Sequence, residues 1–261
     1  MIKKYGQNFL INKNIINTII TEININKNSE ILEIGPGDGA LTKEIIKKNP
    51  KKFIAVEIDK NLKNNLEKYF NNYNHKLIID NSLYFNEKKY FQDNYQIISN
   101  LPYNISLALL TKWIHEVEYK PYPSKMILMF QKEVAERILA KPNSKKYGRI
   151  TVIASAFFKI NKILNVDKKN FFPVPKVDSA ILVFEKLKKG KIKFNEIKFL
   201  EQISFELFNN RRKYLKKKIK KLFSEKIIEK YSLNQFFFQR AENLSIDIFY
   251  KLAILLKKEK L

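Results

Sequence analysis

The chain contains no cysteine. That excludes thiolate metal sites, a cysteine nucleophile and a disulfide framework. Histidine is nearly absent as well: His75 and His115 are the two in 261 residues. A histidine-built metal centre is therefore not expected, and no metal is assigned. Long apolar runs are missing. No uncharged stretch approaches the ~18 residues that a membrane span requires. The basic opening Met1-Ile2-Lys3-Lys4 leads into no apolar segment of signal-peptide length. The expectation is a cytoplasmic protein with no membrane partner. Arginine is scarce too, confined to Arg137, Arg149, Arg211, Arg212 and Arg240.

What the chain has in excess is lysine, with a formal net charge of +24, and enough apolar material, 45% of residues, for one sizeable core. Abundant Lys, Asn and Ile match a bias toward AT-rich codons, which would scatter lysine without functional cause. The distribution argues for more than bias. Residues 186–261 hold 21 Lys and Arg against 8 Asp and Glu, an excess of 13, whereas the 185 residues before them have an excess of 11. A polyanionic partner engaged mainly by the C-terminal third is expected, since each cation placed on a phosphate releases counterions.

Residues 14–25 carry isoleucines at 15, 16, 19, 20 and 23, the stripe of an amphipathic helix. The segment before it, Gly6-Gln7-Asn8-Phe9-Leu10, has no periodicity and by pattern alone is a mobile terminus. Glu30–Ile34, Phe53–Asp59, Lys76–Asp80 and Tyr95–Ile98 are expected strands that alternate with helices. Such alternation predicts an α/β, doubly wound parallel sheet. Ser106–Val117 and Met129–Ala140 are expected helices, Lys141–Gly148 an exposed basic loop, and Ile150–Phe158 and Ser179–Phe184 late strands. Phe171–Val177, stiffened by Pro173 and Pro175, cannot be helical. From about 190 the pattern is helical, and a boundary falls between 186 and 187, giving domains 1–186 and 187–261.

Ligands of such sheets sit outside the carboxyl ends of the strands. Residues 35–39, 57, 80 and 100–103 thus converge on one crevice. Gly35, Gly37 and Gly39 form a turn that an adenosine-bearing cofactor can approach closely, with Glu57 suited to a ribose diol. Gly35-x-Gly37-x-x-Ala40 also satisfies the dinucleotide fingerprint. Glu33 and Asp80 favour S-adenosylmethionine over NAD, because carboxylates attract a sulfonium and an ammonium but repel a pyrophosphate; NAD stays open at this point.

Asn100-Leu101-Pro102-Tyr103 suits an aromatic exocyclic amine, a poor nucleophile whose lone pair is delocalised. The Asn100 side-chain oxygen and the Leu101 carbonyl can accept its two N–H protons, Pro102 fixes the backbone, and Tyr103 can stack on the ring at about 1 to 3 kcal/mol per base. Phe171 and Phe172 are candidates for the other face. In the C-terminal third Arg211, Arg212, Lys213, Lys216 and Lys217 are expected to touch phosphate; an adjacent arginine pair is hard to ascribe to lysine drift.

Gly6–Leu10, Glu33–Thr42, Asn100–Ser106, Phe171–Ser179 and Phe208–Lys213, taken in this order, resemble the ribosomal RNA adenine dimethyltransferases, in particular the bacterial small-subunit branch. The resemblance spans almost the whole chain. It implies a Rossmann-like class I methyltransferase sheet with a small all-α, RNA-binding C-terminal domain. It implies S-adenosylmethionine as cofactor and dimethylation of N6 on two adjacent adenosines in a hairpin near the 3′ end of small-subunit rRNA, during ribosome assembly, by a protein that is monomeric when free. By the same resemblance Asn8, Leu10, Gly35, Glu57, Asp80 and Asn100 contact the cofactor, while Asn100 and Tyr103 serve the adenine with Phe171 as second stacker. It also moves Gln7–Leu10 from a mobile terminus into the cofactor pocket. The rivals are a large-subunit rRNA methyltransferase conferring antibiotic resistance and, from another class, a non-catalytic RNA-binding assembly factor.

Overall fold

The computed structural model describes residues 7–118 and 120–260. The basic opening and Gly6 lie outside the described residues. A two-residue strand, β1 (Phe9–Leu10), precedes helix α1 (Lys13–Ile23). The Asn12 side chain caps α1 by accepting from Asn14 N at 2.9 Å and Ile15 N at 3.3 Å, and Asn24 ends it at φ 58°, the left-handed conformation asparagine tolerates. Its isoleucine stripe is buried as the spacing requires, through Ile16, Ile19, Ile20 and Ile23.

The sheet is then laid down as β2 (Glu30–Ile34), α2 (Ala40–Lys47), β3 (Lys52–Glu57), α3 (Lys63–Glu67), β4 (His75–Ile79), β5 (Tyr95–Asn100), α4 (Ser106–Glu116) and β6 (Pro123–Gln131). After α5 (Lys132–Ile138) and α6 (Arg149–Ala154) come β7 (Phe158–Val166), β8 (Phe171–Phe172) and β9 (Ser179–Lys186). Helices α7 (Ile197–Phe208), α8 (Lys216–Leu222), α9 (Glu225–Lys230) and α10 (Ile246–Lys260) complete the chain.

Seven strands form one sheet in the order β4-β3-β2-β5-β6-β9-β7. The pairs from β4 to β6 are parallel, and β9 joins β6 antiparallel. The chain grows outward from β2 through β3 to β4, then returns to place β5 on the other side of β2. That reversal is a topological switch point, and it opens a crevice at the carboxyl ends of β2 and β5. Gly35 follows one of these strands and Asn100 ends the other. The register pairs Ile34 with Val56 and Glu57 with Ile79, so the strand ends stay level.

Two expected elements differ. Met126–Phe130 was read in part as the start of a helix at Met129; it is buried in the middle of β6, flanked by β5 and β9. A continuous apolar run looks alike in a buried strand and a buried helix, and periodicity does not separate them. Ile150–Phe158, rich in β-branched residues and expected as a strand, is largely α6. Here tertiary contacts override propensity: Thr151 Oγ1 donates to Arg137 O at 2.6 Å, and α6 packs on α7. The strand expected there lies further on, as β7.

The chain divides into two compact units. One comprises everything before Glu136 together with Lys159–Lys186; the other comprises Glu136–Phe158 and Leu187 onward. The boundary read at 186/187 coincides with one crossing between the units. The segment 136–158, read as part of the first domain, packs with the helical residues instead. In that second unit α7 and α10 pair, with Phe208 stacked on Phe249 at 5.2 Å and Tyr147 edge-on to both. Tyr147 is fully buried, so the loop read as exposed is anchored at its end.

Candidate active site

The turn after β2 is built from three of the chain's six glycines, and all three have positive φ: 66° at Gly35, 60° at Gly37 and 82° at Gly39. Gly37 is further constrained by space, because a Cβ there would lie 2.9 Å from the Phe9 ring. Gly35 N donates to Val56 O at 2.9 Å, tying the turn to β3.

Glu57, at the end of β3, closes the turn from below. One carboxylate oxygen accepts from Gly37 N at 3.1 Å, the other from Ile58 N and Asp59 N, each at 2.9 Å. Burial pushes its pKa up, and the three backbone donors oppose that by favouring the anion. Glu33 is more deeply enclosed, 1% exposed, and accepts from Thr42 Oγ1 at 2.7 Å. Burial raises its pKa to about 8, against the Thr42 hydrogen bond and with smaller repulsion from Glu57 and Asp38. It is therefore mostly protonated at neutral pH until a cation faces it.

The segment before α1 is pinned across the crevice as a strap. Phe9 pairs with Phe172 and Leu10 with Phe171 in an antiparallel ladder. Ile11 N donates to Asn170 O at 2.9 Å, and Asn12 Nδ2 to Asn170 Oδ1 at 2.7 Å. Gln7 Nε2 reaches Asp59 Oδ2 at 3.2 Å. The reading of this stretch as a mobile terminus is corrected for its described residues, 7–10. Its order comes from partners 52 to more than 150 residues away, which local pattern does not register.

Asn100 meets the strap. Its Nδ2 donates to Asn8 O at 2.8 Å. A carbonyl only accepts, so this bond fixes the amide with nitrogen toward the strap and Oδ1 turned away, and no described residue donates to Oδ1. Ser99 Oγ donates to Ile34 O at 2.6 Å and joins β5 to β2 at the switch point. The Tyr103 hydroxyl lies 2.6 Å from Ser179 Oγ, which anchors the outer end of the ring; burial raises its pKa. The sequence alone assigns Ser179 no role. Its position two residues after Val177, at the start of β9, is legible only once β9 is known to lie beside β6.

Asn8, Leu10, Gly35, Glu57, Asn100, Leu101, Pro102 and Tyr103 line one crevice, joined by Gln7, Phe9 and Glu33. Two expected members stand apart. Asp80 is exposed at the end of β4, where its backbone N donates to Glu57 O at 2.9 Å and its carboxylate accepts from Asn81 N; it is not on the crevice wall. Phe171 is 1% exposed and belongs to the core with Leu10 and Val166. Successive side chains of a strand point to opposite faces, so β8 buries Phe171 and leaves Phe172 68% exposed.

The wall carries three carboxylates, Glu33, Asp38 and Glu57, and among the described residues no lysine or arginine lines it. In a chain of net charge +24 that is a selective exclusion. A pyrophosphate would meet the charges of Asp38 and Glu57, with Glu33 beside them, and no cationic side chain among the described residues. A ligand with a sulfonium and an ammonium fits this donor and acceptor set, as does an adenosine laid on a glycine turn.

The basic segment divides in the same plain way. Arg211 is consumed internally: Nε and Nη2 donate to Glu242 Oε2 at 3.2 and 2.6 Å, and Nη1 to Lys145 O at 2.7 Å. It clamps the 144–147 loop to the 211 turn, so the phosphate contact expected of it is corrected. Arg212, Lys213, Lys216 and Lys217 are exposed, and their side chains bond to no other described residue.

A family model described as ribosomal RNA adenine dimethylase matches residues 1–258. Among curated proteins the chain is similar to Ribosomal RNA small subunit methyltransferase A of Wigglesworthia glossinidia brevipalpis, 42% identical with 97% of this chain and 96% of that protein covered. It is also similar to the protein of that name from Pelagibacter ubique, 38% identical with 96% and 95% covered. Among solved structures a dimethyladenosine transferase from Plasmodium falciparum superposes with a TM-score of 0.83 at 26% identity, covering 97% of this chain and 98% of that one. The 23S rRNA methyltransferase ErmE shares the fold, with a TM-score of 0.73 at 22% identity over 96% and 100% of the two chains.

Proposed function

The chain belongs to the ribosomal RNA adenine dimethylase family, and from that premise we propose that it uses S-adenosylmethionine to dimethylate the exocyclic N6 of two adjacent adenosines in a 3′-terminal hairpin of small-subunit (16S) rRNA. It acts on the immature small subunit in the cytoplasm, in ribosome biogenesis, and is a monomer when free. The observation that carries the reading is the pairing of an acidic crevice, lined by no lysine or arginine among the described residues, with an amide whose oxygen no described residue pairs at its mouth.

S-adenosylmethionine, when bound, supplies a methyl group on a cationic sulfur. Glu57 holds the glycine turn in the shape that receives the adenosine, and Glu33 and Asp38 supply negative charge toward the cationic portion. Leu10 and Asn8 cover the pocket from the strap, and Phe171 serves by holding that strap through Leu10.

At the target, Asn100 Oδ1 and the Leu101 carbonyl accept the two N6 protons. That localises the lone pair on nitrogen and aims it into the crevice. Tyr103 takes one face of the base, its ring fixed by Ser179. No strong base is required, since the amine becomes acidic on methylation and loses its proton to solvent. Catalysis rests on alignment and on hydrogen bonds set in place beforehand.

Methyl transfer to purified small and large ribosomal particles tests the assignment. Labelling of adenine N6 in the small particle alone is expected. Labelling confined to the large particle would move the chain to the large-subunit branch, and labelling of neither would leave the assembly-factor reading.

A further inference from the structure

We propose that Tyr214 and Phe238 form a stacking site for one unpaired base of the RNA, flanked by lysines for its phosphates. The inference rests on ribosomal RNA being the substrate and goes beyond phosphate contact by the basic segment. Tyr214 is 57% and Phe238 74% exposed, and their rings meet edge to face with centroids 6.3 Å apart. Exposed aromatics that merely lacked cover would be loosely held. These are fixed by two backbone hydrogen bonds between their segments, Leu215 N to Gln239 O at 3.0 Å and Lys216 N to Phe237 O at 3.1 Å.

They border a groove of about 540 Å³, within the range of roughly 300–1,000 Å³ typical of small-ligand pockets. Lys213, Lys216 and Lys217 line it with unpaired ammonium groups. Its one acid, Glu206, is occupied, both oxygens accepting from Lys221 at 2.9 Å. Lys218 forms part of the same wall, with Nζ donating to Leu207 O at 2.7 Å. Cations without free carboxylates around an open aromatic corner match a nucleotide: a flat π-face for the ring and charge for the phosphates. A double helix offers no free base face, so the ligand is an unpaired base.

The test is binding of two fluorescein-labelled RNAs of equal phosphate count, a hairpin with an unpaired loop and a blunt duplex, to the full chain and to Tyr214→Ala/Phe238→Ala. The variant should lose about tenfold in affinity for the hairpin and little for the duplex, with the slope of affinity against salt unchanged. Tyr214→Phe/Phe238→Tyr should restore hairpin binding, which separates stacking from damage to the fold. In a hairpin carrying 2-aminopurine in its loop, quenching on binding should depend on the pair. Equal loss on both RNAs, or no loss on either, would overturn the site. So would variants that bind stripped rRNA normally but fail on intact particles, which would mean that ribosomal protein fills the corner. Methyl transfer by the unaltered chain is run in parallel. Its absence would refute the function itself, whereas normal transfer with unaltered hairpin binding by the variant would refute the stacking site alone.

Discussion

The crevice of the sheet and the basic turn of the helical unit treat charge in opposite ways. The crevice holds Glu33, Asp38 and Glu57 and, among the described residues, no lysine or arginine lines it, although the chain carries 50 of them. The turn from 211 to 218 is almost entirely cationic, yet two of its cations, Arg211 and Lys218, are spent on backbone carbonyls and an acid inside the protein. Lysine drift can enrich a surface anywhere, but it cannot exclude lysine from one pocket. The depletion is therefore the better indicator of what binds, and within the excess the unpaired side chains are the informative ones.

The strongest blow to this contrast is at Asn100. Asn100→Ala removes the amine acceptor, and methyl transfer should fall about 10²- to 10³-fold, the usual cost of one preorganised hydrogen-bond partner in a transition state. Asn100→Asp should fall nearly as far, since a carboxylate cannot donate to Asn8 O and repels it. Single-turnover rates with saturating cofactor measure both. Transfer retained in the Ala variant would remove Asn100 from the chemistry.

The acidity of the crevice is tested through Glu33. Its pKa is raised to about 8 by burial, so the folded state binds the proton more tightly than the unfolded chain. The stability this confers is complete below the unfolded value near 4.5 and is lost as pH rises through about 8. Glu33→Gln, which keeps the shape without the charge, should raise Tm relative to the parent more at about pH 9 than at about pH 5. A cationic ligand prefers the ionised acid, so S-adenosylmethionine, with its sulfonium, should bind the parent more tightly as pH approaches 8, by up to about tenfold per pH unit below it. In the Gln variant that dependence should flatten; calorimetry at several pH values decides.

Arg211 and Arg212 sharpen the other side. Arg211→Ala should cost about 1–3 kcal/mol of stability, because Glu242 and the 144–147 carbonyls lose a charged donor. Its salt slope for RNA should hardly change. Arg212→Ala should leave Tm unaltered and lower the salt slope by about one, the signature of one lost phosphate contact. Reversed outcomes would mean that the clamp is not formed in solution.

Legibility in the sequence followed locality. The glycine turn, Glu57, the strand ending at Asn100 and the isoleucine stripe of α1 are written in neighbouring residues, and they stand where the pattern puts them. The strap was not written there: Gln7–Leu10 becomes ordered by pairing with β8 and by bonds to Asp59 and Asn100, and only resemblance to a family placed it in the pocket. Phe171 was misread as an open face because β8 is two residues long, too short for alternation to say which of Phe171 and Phe172 points inward. The expected strand at 150–158 failed because β-branched propensity yields to packing on α7. Arg211 failed similarly, its partners Glu242 and Lys145 lying 31 and 66 residues away.

The smallest expected effect concerns Ser179. Its hydroxyl lies 2.6 Å from the Tyr103 OH, and Ser179 is fully buried while Tyr103 is partly so. Ser179→Ala removes one neutral hydrogen bond, worth about 0.5–1.5 kcal/mol, and frees the outer end of the ring. If Tyr103 is a stacking face for the target base, the loss should appear as weaker binding or slower methylation of RNA, a fewfold at most, with cofactor affinity untouched. Tyr103→Phe deletes the same bond from the other side while keeping the π-face, so it should match Ser179→Ala, and the double variant should be no worse than either single one. Additive losses would mean that Ser179 acts on the crevice by a route other than Tyr103.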